Sequence, residues 1–172
     1  GADSLIYLKT SYRHRRAFYI KDAKGEHRLK TRDIAIDEQF SYRNGKIVYS
    51  AYESDARWGW KDYSVIKLLD VQTGKQQTLT HKTKYFTPDI SEDGSLVAAV
   101  QFDENGKSEL HILNTNGGTV LNKIHSPEIN LFTDPKFLDD KTIISAVRLK
   151  DGRMYLAKSI LPTGETSQLT SP

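Results

Sequence analysis

The feature that most constrains the fold of this chain is an apolar run that follows a short polar turn and recurs along the sequence. The runs are KIVYSAY (46–52), SLVAAVQF (95–102) and TIISAVRL (142–149), and SLIYLKT (4–10) has the same character. Asn44-Gly45 precedes the first run and Asp93-Gly94 the second. Both dipeptides are strong hairpin signals, because these residue types tolerate positive φ. Asp139-Asp140 forms a weaker version of the turn before the third run, so the pattern predicts a repeated supersecondary unit.

Each apolar run is followed by a loop, a partner strand, a glycine turn and a short polar strand. The partner strands are RAFYIKD (16–22), YSVIKLLD (63–70), SELHILN (108–114) and RMYLAKSI (153–160). The glycines that we assign to the following turn are Gly25, Gly74, Gly117 and Gly164. Three units have a further predicted strand before the first turn, within 38–45, 85–94 and 131–140. The unit is therefore a four-stranded meander that repeats about every 45 residues.

Four-stranded meanders at this period are typical of the blades of a β-propeller. No segment shows a convincing apolar stripe at helical spacing, and the many Thr, Tyr, Val and Ile residues favour strands. We therefore predict an all-β partial β-propeller of about four blades with an incomplete first blade. The predicted blades are approximately 4–33, 38–80, 85–125 and 131–170. A two-sheet sandwich is the alternative, but a sandwich does not need the same turn chemistry at fixed offsets in every unit.

The third unit, YFTPDISEDGSLVAAVQFDENGKSELHIL (85–113), resembles the TolB-like (WD-repeat-like) β-propeller repeat family. The matching positions are Pro88, Asp89, Ser91, Asp93 and Gly94. Two other units depart from the motif, with Ser41-Tyr42 where Pro-Asp is expected and Asp134-Pro135 in place of Pro-Asp. The resemblance implies that these residues order tight turns and are not catalytic. It also implies a bacterial, exported parent protein in the periplasm or outside the cell.

The strand count predicts a ring that does not close. Three strands in the first unit and four in each of the others make 15. Propellers usually have about 4–8 blades, so we expect this chain to be part of a longer propeller protein. The strand at 5–9 would be left without a neighbour on one side, which is an aggregation hazard. We expect another copy of the chain, a rearrangement or further sequence to cover that edge, and the first of these options would give a homodimer.

Composition and motifs exclude several classes of function. The chain contains no cysteine, which rules out disulfides, thiolate metal sites and a cysteine nucleophile. Its net charge of +3 does not by itself argue for nucleic acid, and no apolar run approaches the ~18 residues of a membrane span. No Gly-x-Ser-x-Gly, His-Glu-x-x-His or glycine-rich phosphate-binding motif occurs, and the five histidines lack metal-ligand spacing. We predict no enzyme activity, no cofactor, no metal, no nucleic-acid partner and no membrane insertion, and a structural role for His111.

Propeller connectivity sorts the loops onto two faces, and one face carries irregular loops rich in charged and aromatic residues. Binding residues on rigid scaffolds usually lie in such loops. The candidate binding residues are Tyr12, Arg13, His14, Arg15, Arg16, Arg57, Trp58, Trp60, Lys82, Lys84 and Tyr85. Tryptophan and arginine are enriched at binding hot spots, so this basic, aromatic patch predicts a partner-binding site. In the alternative interpretation, both tryptophans fold back over the base of their own loop and the arginines form a solvated edge.

These features favour a non-catalytic binding or scaffold propeller that recognises a protein, a peptide or an envelope glycan. The alternative is the substrate-gating propeller of a prolyl oligopeptidase-like peptidase whose catalytic domain lies outside this chain. A Gly-x-Ser-x-Gly segment elsewhere in the parent protein would favour the peptidase. A lipoprotein signal without a hydrolase domain would favour the scaffold.

Overall fold

The computed structural model describes residues 4–171, which fold into 15 β-strands and connecting turns, without a helix in this range. The strands are β1 (Leu5–Ser11), β2 (His14–Asp22), β3 (Gly25–Thr31), β4 (Phe40–Arg43), β5 (Lys46–Ser54), β6 (Asp62–Asp70), β7 (Gln76–Thr78), β8 (Tyr85–Ile90), β9 (Leu96–Phe102), β10 (Ser108–Asn114), β11 (Val120–Ile124), β12 (Ile129–Asp139), β13 (Thr142–Leu149), β14 (Met154–Ile160) and β15 (Glu165–Gln168). They pair antiparallel with their neighbours in sequence. The result is one three-stranded sheet, β1–β3, and three four-stranded sheets, β4–β7, β8–β11 and β12–β15, which we call blades 1 to 4. The predicted all-β architecture with an incomplete first blade is confirmed.

Apolar side chains are buried between consecutive blades. Phe18 of blade 1 packs against Ile47, Tyr49 and Val65 of blade 2. A second core joins blades 2 and 3, and a third joins blades 3 and 4. The first strands of blades 2, 3 and 4 also contact one another in succession. Stacking of this kind is typical of a propeller, and two sheets facing each other across a single core would not produce it.

The inner blades bury both faces of their central strands, which explains the continuous apolar runs in the sequence. In β9, Val97 and Ala99 face blade 2, whereas Ala98 and Val100 face blade 4. Successive side chains of a strand point to opposite faces. A strand buried on both sides therefore has no polar alternation.

A network of hydrogen bonds holds the turn that precedes β9. The Ser91 hydroxyl donates to Asp93 Oδ1 over 2.6 Å and accepts from the Leu96 N–H over 2.9 Å. Asp93 also accepts from the backbone N–H and the hydroxyl of Ser95. These hydrogen bonds from Ser91 and Ser95 lower the pKa of Asp93 to about 2. Gly94 has φ +72°, a left-handed conformation that favours glycine.

The inner strands of neighbouring blades are joined through one recurring position, which corrects our alignment of the Pro-Asp motif. Asp89 Oδ2 accepts the backbone N–H of Phe137 in blade 4 over 2.9 Å. Ser41 Oγ accepts the backbone N–H of Ile90 in blade 3 over 3.3 Å. Strand register places Ser41, Asp89 and Lys136 at equivalent positions. The Pro-Asp pair therefore corresponds to Phe40-Ser41 and Pro135-Lys136, and our assignments of Ser41-Tyr42 and Asp134-Pro135 were wrong by one residue.

We expect Asp89→Ala to lower the free energy of unfolding by about 1–3 kcal/mol, because the partly buried Phe137 N–H and the Lys136 ammonium lose their acceptor. Asp89→Ser should recover part of that loss, since the Ser41 hydroxyl accepts the equivalent backbone N–H, that of Ile90, one blade earlier. Urea unfolding of both variants measures the difference. Equal stability of the alanine and serine variants would contradict this role for the side chain.

The turn glycine of blade 3 is Gly118, which corrects the assignment to Gly117. The N–H groups of Gly74, Gly118 and Gly164 each donate to the carbonyl four residues earlier, over 2.8–2.9 Å. Their φ angles are +67°, +72° and +74°. A Cβ on Gly118 would lie 1.8 Å from the carbonyl oxygen of Leu79 in blade 2. Blades 2 and 3 therefore approach each other at Gly118 too closely for any side chain.

Candidate partner-binding face

The β5–β6 loop, residues 55–61, is held in shape by Asp55. Its Oδ1 accepts the backbone N–H groups of Arg57 and Trp58 over 2.8 and 3.1 Å, and its Oδ2 accepts the Tyr63 hydroxyl over 3.0 Å. Hydrogen bonds from the Arg57 N–H and the Tyr63 hydroxyl lower the pKa of Asp55. Backbone hydrogen bonds from Asp55 to Lys61 and from Lys61 to Trp58 close the loop. The loop thus presents its side chains from an ordered backbone.

Both tryptophans of the chain lie on this loop and are largely exposed. Trp60 is 94% exposed and Trp58 is 63% exposed. The fold-back interpretation is therefore wrong for Trp60. An ordered, exposed indole offers a large contact area at a low cost in conformational entropy.

Trp58 lines a cleft of about 590 Å³ between the β5–β6 loop and the connection from β7 to β8. Glu53 forms the cleft's acidic part: its carboxylate lies 3.7 Å from His81 Nδ1 and accepts the Lys82 N–H over 3.4 Å. Arg57 and Lys82 also line the cleft. Arg57, Trp58 and Lys82 thus line one cleft, but with acidic neighbours that make the patch mixed in charge.

A second cleft lies between the start of β2 in blade 1 and the end of β5 and the start of β6 in blade 2. Arg15 and Arg16 line this cleft of about 910 Å³ together with Tyr52 and Asp62 of blade 2. Tyr12, Arg13 and His14 are exposed at the β1–β2 turn beside it. The β1–β2 turn, the β5–β6 loop and the connection from β7 to β8 therefore lie around two adjoining clefts, and we call this surface the loop face.

Lys84 and Tyr85 lie apart from this patch. Tyr85 is 3% exposed and belongs to the core between blades 2 and 3. Its hydroxyl is hydrogen-bonded to His111 Nδ1 over 2.7 Å, so including Tyr85 among the exposed binding residues was wrong. Lys84 lies at a separate groove between blades 3 and 4. Strand β8 begins at Tyr85, and this side chain points into the core between blades 2 and 3.

Sequence reasoning missed that groove, which has a volume of about 540 Å³ and an apolar lining. Phe86 and Phe102 pack edge to face with ring centroids 5.5 Å apart, and Leu131 of blade 4 completes the wall. Sequence reasoning also missed Arg32, a buried arginine beside the cleft of Arg15 and Arg16. The burial of Arg32 depends on its contacts with the carbonyl oxygens of Asp37 and Gln39, which no local sequence pattern indicates.

His111 is buried and hydrogen-bonded at both ring nitrogens, to Tyr85 and, over 3.2 Å, to Glu109. Burial lowers the pKa of His111, although the hydrogen bond to Glu109 opposes that shift. Burial also raises the pKa of Tyr85 to about 12. Within residues 4–171, no three His, Asp or Glu side chains are grouped as metal ligands could be.

We expect stability to fall as the pH drops below about 6.5, the ordinary pKa of histidine. The unfolded chain takes up a proton at His111 at a higher pH than the folded chain does. The stabilisation by neutral His111 is therefore complete above that pH and is lost as the pH falls toward the lowered folded value. Urea unfolding between pH 7.5 and 5 measures this slope. His111→Gln should reduce it, and an unchanged slope in that variant would refute the assignment to His111.

No protein-family model and no curated protein matches this sequence. Among solved structures, TolB from Acinetobacter baumannii is similar with a TM-score of 0.72 at 16% identity, over 98% of this chain and 41% of that one. The β-propeller domain of the Trilobed protease from Pyrococcus furiosus has a TM-score of 0.62 at 16% identity, over 98% of this chain and 53% of that one. A puromycin-hydrolyzing peptidase from Mycobacterium tuberculosis has a TM-score of 0.65 at 12% identity, over 98% of this chain and 27% of that one.

The four stacked meanders and these likenesses define the class of protein: the chain folds as part of a β-propeller. Its fold is similar to that of TolB. At these identities the likeness concerns the fold. The chain spans about a quarter to about a half of the three structures. No helix able to cross a lipid bilayer is found among residues 4–171.

Proposed function

We propose that this chain is a non-catalytic binding region of a propeller and holds a protein or peptide partner on the loop face. The observation that carries the proposal is the exposure of Trp60 and Trp58 on a loop whose backbone Asp55 orders. A large indole in water gains free energy when a partner covers it. The ordered loop reduces the entropy that binding would otherwise lose.

The charge pattern of the loop face supports a protein partner over nucleic acid. Arg15, Arg57 and Lys82 lie among Glu53 and Asp62, and acidic groups repel a phosphate backbone. Mixed charges of this kind suit the complementary surface of a protein. An envelope glycan stacked on an indole remains the second ligand class, and the test below distinguishes the two.

Trp58 and Trp60 are the only tryptophans in the chain, so its intrinsic tryptophan fluorescence reports on this loop alone. We expect acrylamide to quench the free protein strongly and a bound partner to protect it. A partner isolated from an envelope extract, or a glycan fragment in a parallel titration, supplies the ligand.

Trp58→Ala combined with Trp60→Ala should weaken partner binding at least about tenfold, because hot-spot truncations cost about 2 kcal/mol or more. The melting temperature should change little, since both side chains are exposed. Leu121→Ala, at an exposed apolar position in β11 of blade 3, is the matched control and should bind normally. Unaltered binding by the tryptophan variant would refute the proposed site.

A substrate gate is the second candidate function, and the likeness to propeller domains of peptidases favours it. In that case the catalytic residues lie in another domain of the parent protein. Sequencing the gene around this chain tests the choice. A hydrolase domain with a Gly-x-Ser-x-Gly segment would support the gate. An export or lipoprotein signal without a hydrolase would support the binding scaffold and the periplasmic or extracellular location that we propose for it.

The edge of β1 suggests a further mode of association. Blade 1 has three strands within residues 4–171, and β1 pairs there only with β2. Strand edges of this kind can pair with another chain, so we propose a homodimer through this edge. Sedimentation at high protein concentration tests it, and a purely monomeric species would exclude it.

A further inference from the structure

Three arginines converge on the cleft of about 910 Å³ between blades 1 and 2. Arg15 and Arg16 come from the start of β2, and Arg32 from the connection after β3. The Arg32 N–H donates to the Arg16 carbonyl over 2.9 Å, which brings the two segments together. Positive charges that face one cleft repel one another, and a bound anion relieves that repulsion.

Arg32 is a buried cation with incomplete compensation. Its side chain is 1% exposed. Nη2 donates to the Asp37 carbonyl oxygen over 2.9 Å, to the Gln39 carbonyl oxygen over 3.0 Å and to the Asp37 carboxylate over 3.3 Å. Nε and Nη1 have no hydrogen-bond partner among residues 4–171. Burial lowers the pKa of Arg32; the Asp37 carboxylate opposes that shift, and the nearby charge of Arg16 adds to it. The wall of the cleft thus holds a positive charge that its own hydrogen bonds satisfy only in part.

The remaining charges leave the blade 1 wall positive. Arg16 forms an ion pair with Glu38, whereas Arg15 has no acidic side chain within 4 Å among the described residues. Asp33 also lines the cleft, but its carboxylate is already paired. Oδ1 forms an ion pair with Lys67 Nζ over 2.9 Å, and Oδ2 accepts the Tyr49 hydroxyl over 2.8 Å.

The lining on the blade 2 side is different. Ile34 is 77% exposed, and its carbonyl accepts the Tyr52 N–H over 2.7 Å, which places these two apolar side chains in one segment of the wall. Asp62 adds a negative charge on this side. The Asp62 carboxylate would repel a polyanion. A ligand with a single carboxylate can instead bind the arginines through that group and place an adjoining apolar group against Ile34 and Tyr52.

From this arrangement we infer that the cleft binds a carboxylate followed by an apolar side chain in an extended segment of a partner protein. The inference rests on the proposed function, because it assigns a chemistry to one part of the loop face. Arginine suits this role since its guanidinium recognises carboxylates through paired hydrogen bonds. Arg15 and Arg16 would contact the carboxylate, with the buried charge of Arg32 strengthening the local positive potential.

The probe is N-acetyl-Asp-Leu-amide, titrated into the isotopically labelled chain and followed by the amide signals of Arg16 and Tyr52. We expect saturable shifts, with at least tenfold weaker binding of N-acetyl-Asn-Leu-amide. Equal binding of the two dipeptides would overturn the proposal. Inorganic phosphate binding as tightly as the acidic dipeptide would overturn the peptide assignment and leave a general anion site.

Variants locate the site. Arg15→Gln combined with Arg16→Gln should weaken the acidic dipeptide at least tenfold, and Asp62→Asn should tighten it severalfold by removing a repelling charge. Arg153→Gln, an exposed arginine of blade 4, is the control and should bind as the unaltered chain does. Undiminished binding by the double arginine variant would refute the site.

The variant that lacks Trp58 and Trp60 separates this inference from the proposed function. It should bind the dipeptide normally even if it has lost the partner. If the unaltered chain binds the dipeptide and the double tryptophan variant still binds the partner, the cleft is supported and the tryptophan site is refuted. A partner lost with the tryptophans, together with no dipeptide binding, would refute the cleft alone.

Discussion

Gly118→Ala is expected to lower the free energy of unfolding by about 3–5 kcal/mol, the sum of left-handed backbone strain and overpacking. The new Cβ would lie 1.8 Å from the Leu79 carbonyl oxygen, a backbone atom that cannot rotate away. Blades 2 and 3 must therefore separate locally. For a chain of this size, such a loss lowers the melting temperature by roughly 10 °C.

Gly74→Ala is the matched control for this effect. Gly74 occupies the same turn one blade earlier, with φ +67° and the same backbone hydrogen bond, but outside the glycine and its two chain neighbours no atom of the described residues 4–171 lies within 4 Å of its added Cβ. The control should lose only the strain term of about 1–2 kcal/mol. Thermal unfolding of the two variants gives the comparison. Equal losses would show that the approach of Leu79 is not what requires glycine at residue 118.

Phe18→Ala is expected to detach blade 1, with a loss of about 3–5 kcal/mol at this interface. Phe18 is fully buried, with its ring centroid 5.1 Å from that of Tyr49 and 5.4 Å from that of Phe40. Each apolar core joins only two consecutive blades, so destabilisation can remain local in such an array. Hydrogen exchange should show lost protection in β1–β3 and retained protection in β9 and β10.

Tyr19→Ala provides the comparison for Phe18. Tyr19 is the next residue of β2, points to the opposite face and stacks on Tyr7 at 6.1 Å. Removing it should leave blade 1 attached. Lost protection throughout the chain in the Phe18 variant would contradict local detachment and indicate a single cooperative unit.

The repeat could be recognised from sequence because its signals are local. Asn44-Gly45 and Asp93-Gly94 specify positive φ at short turns, and continuous apolar runs indicate strands buried on both sides. Exact register was harder to predict. The turn at Asn44-Gly45 closes over two residues, whereas the turn before β9 spans residues 91–95. The offset from the glycine therefore differs between blades: Asp89 lies five residues before Gly94, whereas the equivalent Ser41 lies four residues before Gly45.

The candidate face was predictable only in part, because exposure and pairing depend on the folded neighbours. The sequence indicated which loops carry Arg15 and Trp60, and the structure places these loops on one face. The sequence could not indicate that Tyr85 turns inward toward His111, or that two nitrogens of the buried Arg32 lack a partner within residues 4–171. Both outcomes depend on contacts between residues distant in the chain.

The burial of β9 on both faces has a consequence for how its alignment is chosen during folding. Val97, Ala98, Ala99 and Val100 alternate between two dry interfaces, so a slip by one residue would exchange similar side chains without wetting any of them. A strand with one solvated face would expose its apolar set after the same error. The preference for the correct register of β9 over a register shifted by one residue must therefore come from outside the apolar run. The turn of Ser91, Asp93 and Ser95 supplies it, because its hydrogen bonds determine which residue begins the strand.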